Sequence, residues 1–492
     1  MTSFVEVARR EKLQELVKRG VAPFAYGFER TGTVRAAVDG FREGAEPALR
    51  LAGRLILLRP HGKTTFAHLE DQTGKIQLYF KIDLLGPALY EVVKLLDLGD
   101  FVGVEGPLFR TKTGEITVRV ERFTLLTKAL RPLPLGKEDA QGVRHGELTD
   151  PEQRARQRYA DLAVHPEVRE RFRLRAGVVS YCRRFLDARG YLEVETPVLQ
   201  PVYGGATAKP FVTRYEALDA TFYLRIADEL YLKRCIVGGL EKVYEIGHDF
   251  RNEGLSRIHN PEFTMAEWYE AYADYERMRE LTEELVAGLV GELFGSPTLE
   301  RHGATLSFAR PFARADYASL VRDLAGVDLA RATDTELRQA LGRRDVPASE
   351  TDRLQGPKLV DEVFKTYVEP TLIQPTFVFD YPVALSPLAK AKRGDPTKVE
   401  RWELFIQRRE IANAFSELND PEEQRRRFEE QARQRAAGDE EAQQLDEDFL
   451  RALEYGMPPT GGVGLGLDRL LMILADQGNI RDVILFPMLR PE

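Results

Sequence analysis

Two neighbouring stretches, VYEIGHDFRNE (Val243–Glu253) and PEFTMAEWY (Pro261–Tyr269), decide how this chain is read. In the first, Glu245, Gly247, Asp249, Arg251 and Glu253 occupy alternate positions, so a strand puts them on one face. The second aligns Phe263, Met265, Glu267 and Tyr269 in the same way. Between them, Gly254-Leu255-Ser256-Arg257-Ile258-His259-Asn260 is rich in turn formers, which predicts an antiparallel hairpin with a polar loop. A face with an arginine, several carboxylates and two aromatic rings is poor core material, because unpaired buried charge is costly. The pattern points to the floor of a polar cleft; the plainer alternative is a sheet surface open to solvent.

Two further segments share this character. Trp402–Leu418 reads as a strand with Asn413, Phe415 and Glu417 alternating onto one face and Glu403 and Glu410 upstream. Paired carboxylates beside a polyphosphate suit Mg²⁺, which takes one or two protein oxygens and completes its shell with water and phosphate. GGVGLGLDRLLM (Gly461–Met472) joins glycines, which permit close backbone approach, to an apolar helix with Arg469 in its first turn. A guanidinium offers a flat face for stacking and a fork for phosphate; a glycine-rich turn with Arg469 in a salt bridge is the competing account. No familiar nucleotide motif is present. The glycine run lacks a following acidic residue in a strand–turn–helix, and Gly62-Lys63-Thr64 is preceded by Leu57 where a P-loop has glycine.

Around these segments lie 492 residues, 43% hydrophobic and 30% charged, as in a folded chain of two to three domains. Two cysteines, Cys182 and Cys235, exclude a disulfide framework and a cysteine-rich zinc site, and suit a reducing, cytoplasmic compartment. No apolar run approaches about 18 residues and the first twenty carry both signs of charge, so neither a membrane span nor a secretory signal is expected. The net charge of −8 is uneven. Residues 1–145 hold 23 Lys and Arg against 18 Asp and Glu, a net of +5, and the other 347 hold 47 against 60, a net of −13. A basic first third suits a polyanionic partner, with chance drift as the alternative.

Thr2–Gly20 reads as an amphipathic helix with Phe4, Val5, Ala8, Leu13, Leu16 and Val17 as its apolar residues. Five β-rich runs follow, Leu51–Leu58, Thr65–Leu69, Lys75–Lys81, Phe101–Arg110 and Glu115–Leu125, with a helical stretch, Ala88–Leu98, after the third. That is the layout of an OB-fold barrel. Phe66, Tyr79 and Phe80 are candidate stacking platforms beside Arg54, Lys63 and Lys75; Phe80 is assigned to the core and Phe66 to a base contact. The chain therefore divides into a first domain over 1–130, a Pro- and Gly-rich linker over 131–155, and an α+β domain over 156–492. The last includes a very polar helix from about Glu422 to Leu453.

Together these segments resemble the class II aminoacyl-tRNA synthetases. Phe250-Arg251-Asn252-Glu253-Gly254 through His259-Asn260-Pro261-Glu262-Phe263-Thr264 is similar to their motif 2, and Gly464–Arg469 to motif 3. Phe185–Tyr191 with Glu195-Thr196-Pro197 resembles motif 1, the helix–strand of the dimer interface. An OB-fold ahead of the catalytic domain matches the subclass for aspartate, asparagine and lysine. Within it, His259–Met265 with Glu267 and Tyr269, and Asn413–Asp420, resemble the lysyl-tRNA synthetases. The resemblance implies an α+β fold, an OB-fold barrel followed by an antiparallel sheet flanked by helices. It implies activation of L-lysine with ATP and Mg²⁺, transfer to tRNA(Lys), and a cytoplasmic homodimer with no membrane association.

Residue by residue, the resemblance makes Arg251 and Arg469 the catalytic groups. Arg251 would bind the ATP α-phosphate and the lysine carboxylate; Phe263 and Arg469 would sandwich the adenine, with Glu253 and His259 nearby. Glu403 and Glu410 would hold Mg²⁺, the latter also beside ATP. Gly205 and Glu229 would meet the lysine α-amino group, and Glu417 and Tyr269 the ε-ammonium, with Glu267, Asn413 and Phe415 lining the pocket. Phe66, Gln77 and Glu115 would read the anticodon. In-line attack of a carboxylate on the α-phosphorus needs positioning and charge neutralisation rather than a nucleophilic side chain. The chain departs from its relatives at Ala414, where glycine is common, at Asp228, where proline is usual, and at His248, which has no assigned role. Three rivals stay open: an aspartyl- or asparaginyl-tRNA synthetase, which would want a basic pocket; a shortened protein-lysylating relative, which lacks the barrel; and an RNA-binding paralogue without catalysis.

Overall fold

The computed structural model describes all residues except 1–3, 46–47, 139–143 and 437–443. Two compact units result, one of Met1–Asp150 with Tyr159–Val164 and the other of Pro151–Arg158 with His165–Glu492. Among the described residues no helix is long and apolar enough to cross a membrane.

In the first unit, Leu49–His61 pairs antiparallel with both Thr64–Asp71 and Phe101–Gly106. Gly74–Lys81 pairs antiparallel with Thr64–Asp71 and parallel with Ile116–Arg119. Alternation along the middle strands sends Ala67, Leu69, Ile76, Leu78 and Phe80 into the barrel core with Leu51, Val102 and Val118. The expected fourth and fifth strands are each split. Phe101–Gly106 pairs with Leu49–His61, whereas Leu108–Arg110 turns away to pair with Ile116–Arg119. The break falls at Gly106, where a Cβ would collide with the Arg119 carbonyl, so only glycine lets the two chains cross.

Two expectations for this unit change. The N-terminal helix, Phe4–Lys18, buries Leu16 but leaves Phe4, Val5 and Val17 exposed. Its second buried residue is Arg9, whose guanidinium donates to the carbonyls of Leu98, Ala129 and Arg131; backbone acceptors, not an apolar stripe, fix this helix. The stretch read as linker also contains structure, a two-stranded ribbon of Leu135–Glu138 and Arg144–Glu147.

The second unit is built on an eight-stranded sheet in the order Leu192–Glu193, Lys242–Phe250, Glu262–Ala271, Thr460–Gly466, Arg409–Ser416, Arg401–Ile406, Thr376–Phe379 and Ala313–Asp316. The six central strands are antiparallel to their neighbours; the two edge strands pair in parallel. One face is apolar. Tyr244, Ala266, Trp268, Trp402, Leu404, Ala414, Val463 and Leu465 belong to a core with Cys182, Leu186, Met278, Leu285, Leu470 and Leu471. Those partners come from the helices Pro166–Asp187, Tyr275–Phe294 and Leu467–Leu474. Fully burying each large apolar side chain is worth about 1.5–3 kcal/mol, which commits the sheet to this face. A period of two then leaves every intervening residue on the other.

Three element boundaries differ from expectation. Trp402–Leu418 is a hairpin, not one strand, because the chain reverses at Gln407 and Arg408, both at positive φ. Such turns favour Asn and Gly, so this one carries no sequence signal. The glycine run is no turn: Thr460–Gly466 is a central strand, paired on both sides. The long polar helix is two, Pro421–Ala436 and Glu447–Glu454, with Asp446 capping the second through Phe449 N at 2.8 Å. Neither is wholly solvated, since Phe428, Phe449, Leu450 and Leu453 are buried together.

Candidate active site

The polar sheet face forms the floor of a cavity of about 340 Å³. Of the residues predicted for the cleft, Gly205, Glu229, Arg251, Glu253, His259, Phe263, Glu267, Tyr269, Glu410, Asn413, Phe415, Glu417 and Arg469 all line it. Glu403 does not. The hairpin register sets the floor: Asp249 faces Phe263 and Glu245 faces Glu267 across the first two strands. Thr460–Gly466 lies beside them, with Gly462 opposite Tyr269 and Gly464 opposite Glu267. A Cβ on Gly462 would strike both the Tyr269 ring and the Glu417 carboxylate, so glycine there makes room for two functional side chains.

One end of the cavity is acidic. Burial pushes the Glu417 carboxyl up to about 8; Lys233 opposes that shift and Glu229 adds to it. Lys233 Nζ lies 2.5 Å from both Glu229 Oε1 and Glu417 Oε2. The contact to Glu417 is an ion pair without hydrogen-bond alignment, and Glu417 Oε1 is buried with no hydrogen-bond partner. Glu267 is held well above the usual carboxylate range by burial, then by the charges of Asp249 and Glu229. The Tyr269 hydroxyl donates to Glu267 at 3.4 Å. Gly205, at φ 89°, packs so closely that a Cβ would lie 3.2 Å from that of Glu229. Arg401 orients the remaining wall, donating to Asn413 Oδ1 at 3.0 Å and lying 5.5 Å from the Phe415 ring centre.

The other end is basic. The Arg251 guanidinium sits 5.1 Å from the Phe263 ring centre and donates to the Ile226 carbonyl. Arg469 donates to Glu410 Oε2 at 3.2 Å and contacts His259 Nε2 at 3.2 Å. His259 is held below its ordinary pKa by burial, then by Arg469 and Arg251, so at neutral pH it is an uncharged hydrogen-bonding group. The next residue along the chain before Arg469 also ties two motifs together: Asp468 accepts from Thr264 N at 2.8 Å and ion-pairs with Arg175. Glu403 stands off the cavity wall, accepting from the Tyr381 hydroxyl at 2.6 Å and pairing with Arg401. Burial raises it to about 7; Arg401 opposes and Glu410 adds to the rise, so the two carboxylates feel each other. Among the described residues no three acidic, His or Cys side chains cluster as a metal site.

The sequence reading missed the cations packed against the polar face. Arg225, almost wholly buried, donates to Glu245 Oε1 at 2.6 Å and to the His248 carbonyl, and pairs with Asp228 at 2.9 Å. Asp228 is the residue noted above as a departure from the family resemblance. Burial, then Asp249 and Glu267, push it up to about 10 against the pull of Arg225. A clue was available in Gly247, the smallest residue on a charged face: a Cβ there would strike the Arg225 guanidinium. Lys233 had a local signal, standing four residues after Glu229 on one helix, and Arg401 had none comparable.

On the outer face of the barrel the three other predicted residues converge. Phe66 packs against Tyr79 with ring centres 5.0 Å apart and planes tilted by 39°, and Gln77 Nε2 donates to Glu115 Oε2 at 2.7 Å. His68, opposite Gln77, contacts the other Glu115 oxygen at 2.8 Å, a partner not foreseen. Phe80 points inward, as expected.

Comparison with known proteins agrees with both units. Residues 150–490 match the family described as tRNA synthetases class II (D, K and N), and residues 49–126 match the OB-fold nucleic acid binding domain. The chain is 52% identical over 488 residues to a lysine–tRNA ligase of Moorella thermoacetica, covering 98% of this chain and 97% of that one. It is 51% identical over 484 residues to one of Pelotomaculum thermopropionicum, covering 98% and 94%. A lysine–tRNA ligase of Carboxydothermus hydrogenoformans is 50% identical over 484 residues, with 98% and 97% covered.

Proposed function

Since the chain belongs to the class II tRNA synthetases of the aspartate, lysine and asparagine group, we propose that it activates L-lysine with ATP and transfers it to tRNA(Lys). The observation that carries the amino-acid assignment is the acidic end of the cavity, where Glu229, Glu267 and Glu417 are all buried. An aspartate or asparagine side chain would add a carboxylate or a neutral amide to that end. A lysine adds a second cation to a group of three carboxylates that holds only Lys233. A buried carboxyl that ionises only against a cation is a strong discriminator, because a ligand without the ammonium gives it no partner for the charged form.

In this reading Glu417 and Tyr269 receive the ε-ammonium, Glu229 and Gly205 the α-amino group, and Glu267, Asn413 and Phe415 shape the space around the side chain. The lysine carboxylate then extends toward Arg251, which also meets the α-phosphate. Arg251 neutralises charge where it gathers during in-line attack, and no residue must form a covalent intermediate. Phe263 and Arg469 take the adenine between them, with Glu253 and the uncharged His259 as hydrogen-bonding neighbours. The charge of Glu410 raises Glu403, which fits a divalent cation shared by the two, and two carboxylates suffice for Mg²⁺ whose other ligands are water and phosphate. Bound there, the ion would offset the charge of the triphosphate.

On the barrel, the Phe66–Tyr79 pair and the Gln77–Glu115–His68 group support an anticodon-reading face, with stacking from the rings and polar edges beside them. We further propose a homodimer in the cytoplasm, through the helix–strand around Phe185–Pro197. The deciding experiment is ATP–pyrophosphate exchange with each of the twenty amino acids. Exchange is expected with lysine, dependent on a divalent cation; exchange with aspartate or asparagine and none with lysine would overturn the assignment.

A further inference from the structure

The Glu229–Val237 helix carries one residue that no role above uses. Lys233 is completely buried, yet it does not line the cavity; it lies behind Glu229 and Glu417, which do. A buried ammonium is costly unless it is paired. Here burial alone would push its pKa down, and the two carboxylates more than reverse that. Because each carboxylate oxygen is 2.5 Å from the same nitrogen, the two oxygens are at most about 5 Å apart, twice that distance. Two carboxylates that close would repel each other without a cation between them.

We propose that Lys233 is a positioning residue that ties Glu229 and Glu417 together from behind and so sets the spacing at which the pocket accepts two amino groups. The inference rests on the reading that those carboxylates receive the α-amino and ε-ammonium groups of lysine. Each gives Lys233 one oxygen. The other oxygen of Glu417, Oε1, is left buried and without a hydrogen-bond partner, turned to the space above Gly462. The tied carboxylates are 188 positions apart in the chain, one on a helix and one just beyond a sheet strand where Glu417 N donates to the Thr460 carbonyl, so the tie fixes the side chains rather than the backbone. A ligand with a shorter arm, such as ornithine, then reaches only one carboxylate. Without the tie Glu417 is free to move toward it.

The test is exchange kinetics with lysine and with ornithine in the wild type, Lys233→Met and Lys233→Arg. Lys233→Met is expected to raise KM for lysine at least about tenfold and to lower the lysine-to-ornithine ratio of kcat/KM by about tenfold or more, with KM for ATP changed less than about twofold. Lys233→Arg, which keeps a bridging cation, should recover part of the ratio. An unchanged ratio in a folded Lys233→Met protein would overturn the proposal, as would KM for lysine and ATP rising in parallel. If Lys233→Met does not fold, as judged by its thermal melt, Lys233→Arg decides: its longer, forked head group must still shift the ratio, and an unshifted ratio overturns the tie. Absence of lysine-dependent exchange in the wild type would instead defeat the functional reading on which the inference stands.

Discussion

Glu417 concentrates the chemistry of the acidic end in one side chain. Its carboxyl is raised to about 8 from an ordinary 4.5. Between those values the native protein holds a proton that the unfolded chain has released, so this group's contribution to the stability of the empty protein falls as pH rises through that window. An ammonium ligand binds the ionised form. Lysine binding therefore releases the proton and tightens as pH rises toward about 8. We expect KM for lysine, at saturating ATP, to fall on the order of tenfold between about pH 6.5 and 8.5 in the wild type and to stay flat in Glu417→Gln. The same variant should weaken lysine about 10- to 100-fold and leave KM for ATP nearly unchanged; equal losses would remove Glu417 from the ammonium site.

At the scale of elements, the Thr460–Gly466 strand shows how backbone makes space for function. Gly462 and Gly464 both face the cavity, but they differ in what a methyl would meet. At Gly462 it meets the Tyr269 ring and Glu417, held in a packed wall; at Gly464 the nearest atom is the flexible end of Met265, at 3.2 Å. Gly462→Ala should therefore cost about 1–3 kcal/mol in a chemical melt and raise KM for lysine strongly, whereas Gly464→Ala should cost under about 1 kcal/mol. Comparable losses in the two variants would show that strand geometry, not the pocket, dictates these glycines.

For the whole molecule, the proposed function divides the work between the two units, amino-acid activation in one and tRNA recognition in the other. Phe66 lies on the outer face of the barrel, outside its core. Phe66→Ala should reduce tRNA charging about tenfold or more while sparing ATP–pyrophosphate exchange, in keeping with the roughly 1–3 kcal/mol of one base–aromatic stack. If both reactions fall equally, Phe66 is structural.

What the sequence alone determined is what depends on neighbouring residues. Alternation of period two put Arg251, Phe263, Glu267, Tyr269, Asn413 and Phe415 on common faces, and Phe80 was assigned to the barrel core where it lies. The uneven charge, +5 over residues 1–145 and −13 over the rest, was open to chance drift by itself and fits a basic barrel and an acidic second unit only beside the motifs. Tertiary structure alone decided which charges meet. Arg225 against Glu245, Lys233 against Glu417 and Arg401 against Asn413 are contacts made across strands and helices, whereas Arg225–Asp228, Lys233–Glu229 and Arg401–Glu403 are local pairs. The turn at Gln407–Arg408 and the exposed face of the first helix were hidden for a related reason. Local propensities there are weak, and the backbone follows partners that come from elsewhere in the fold. A buried charge has no preferred neighbour in sequence, only a need for an opposite charge within a few ångströms, and folding supplies that from any part of the chain.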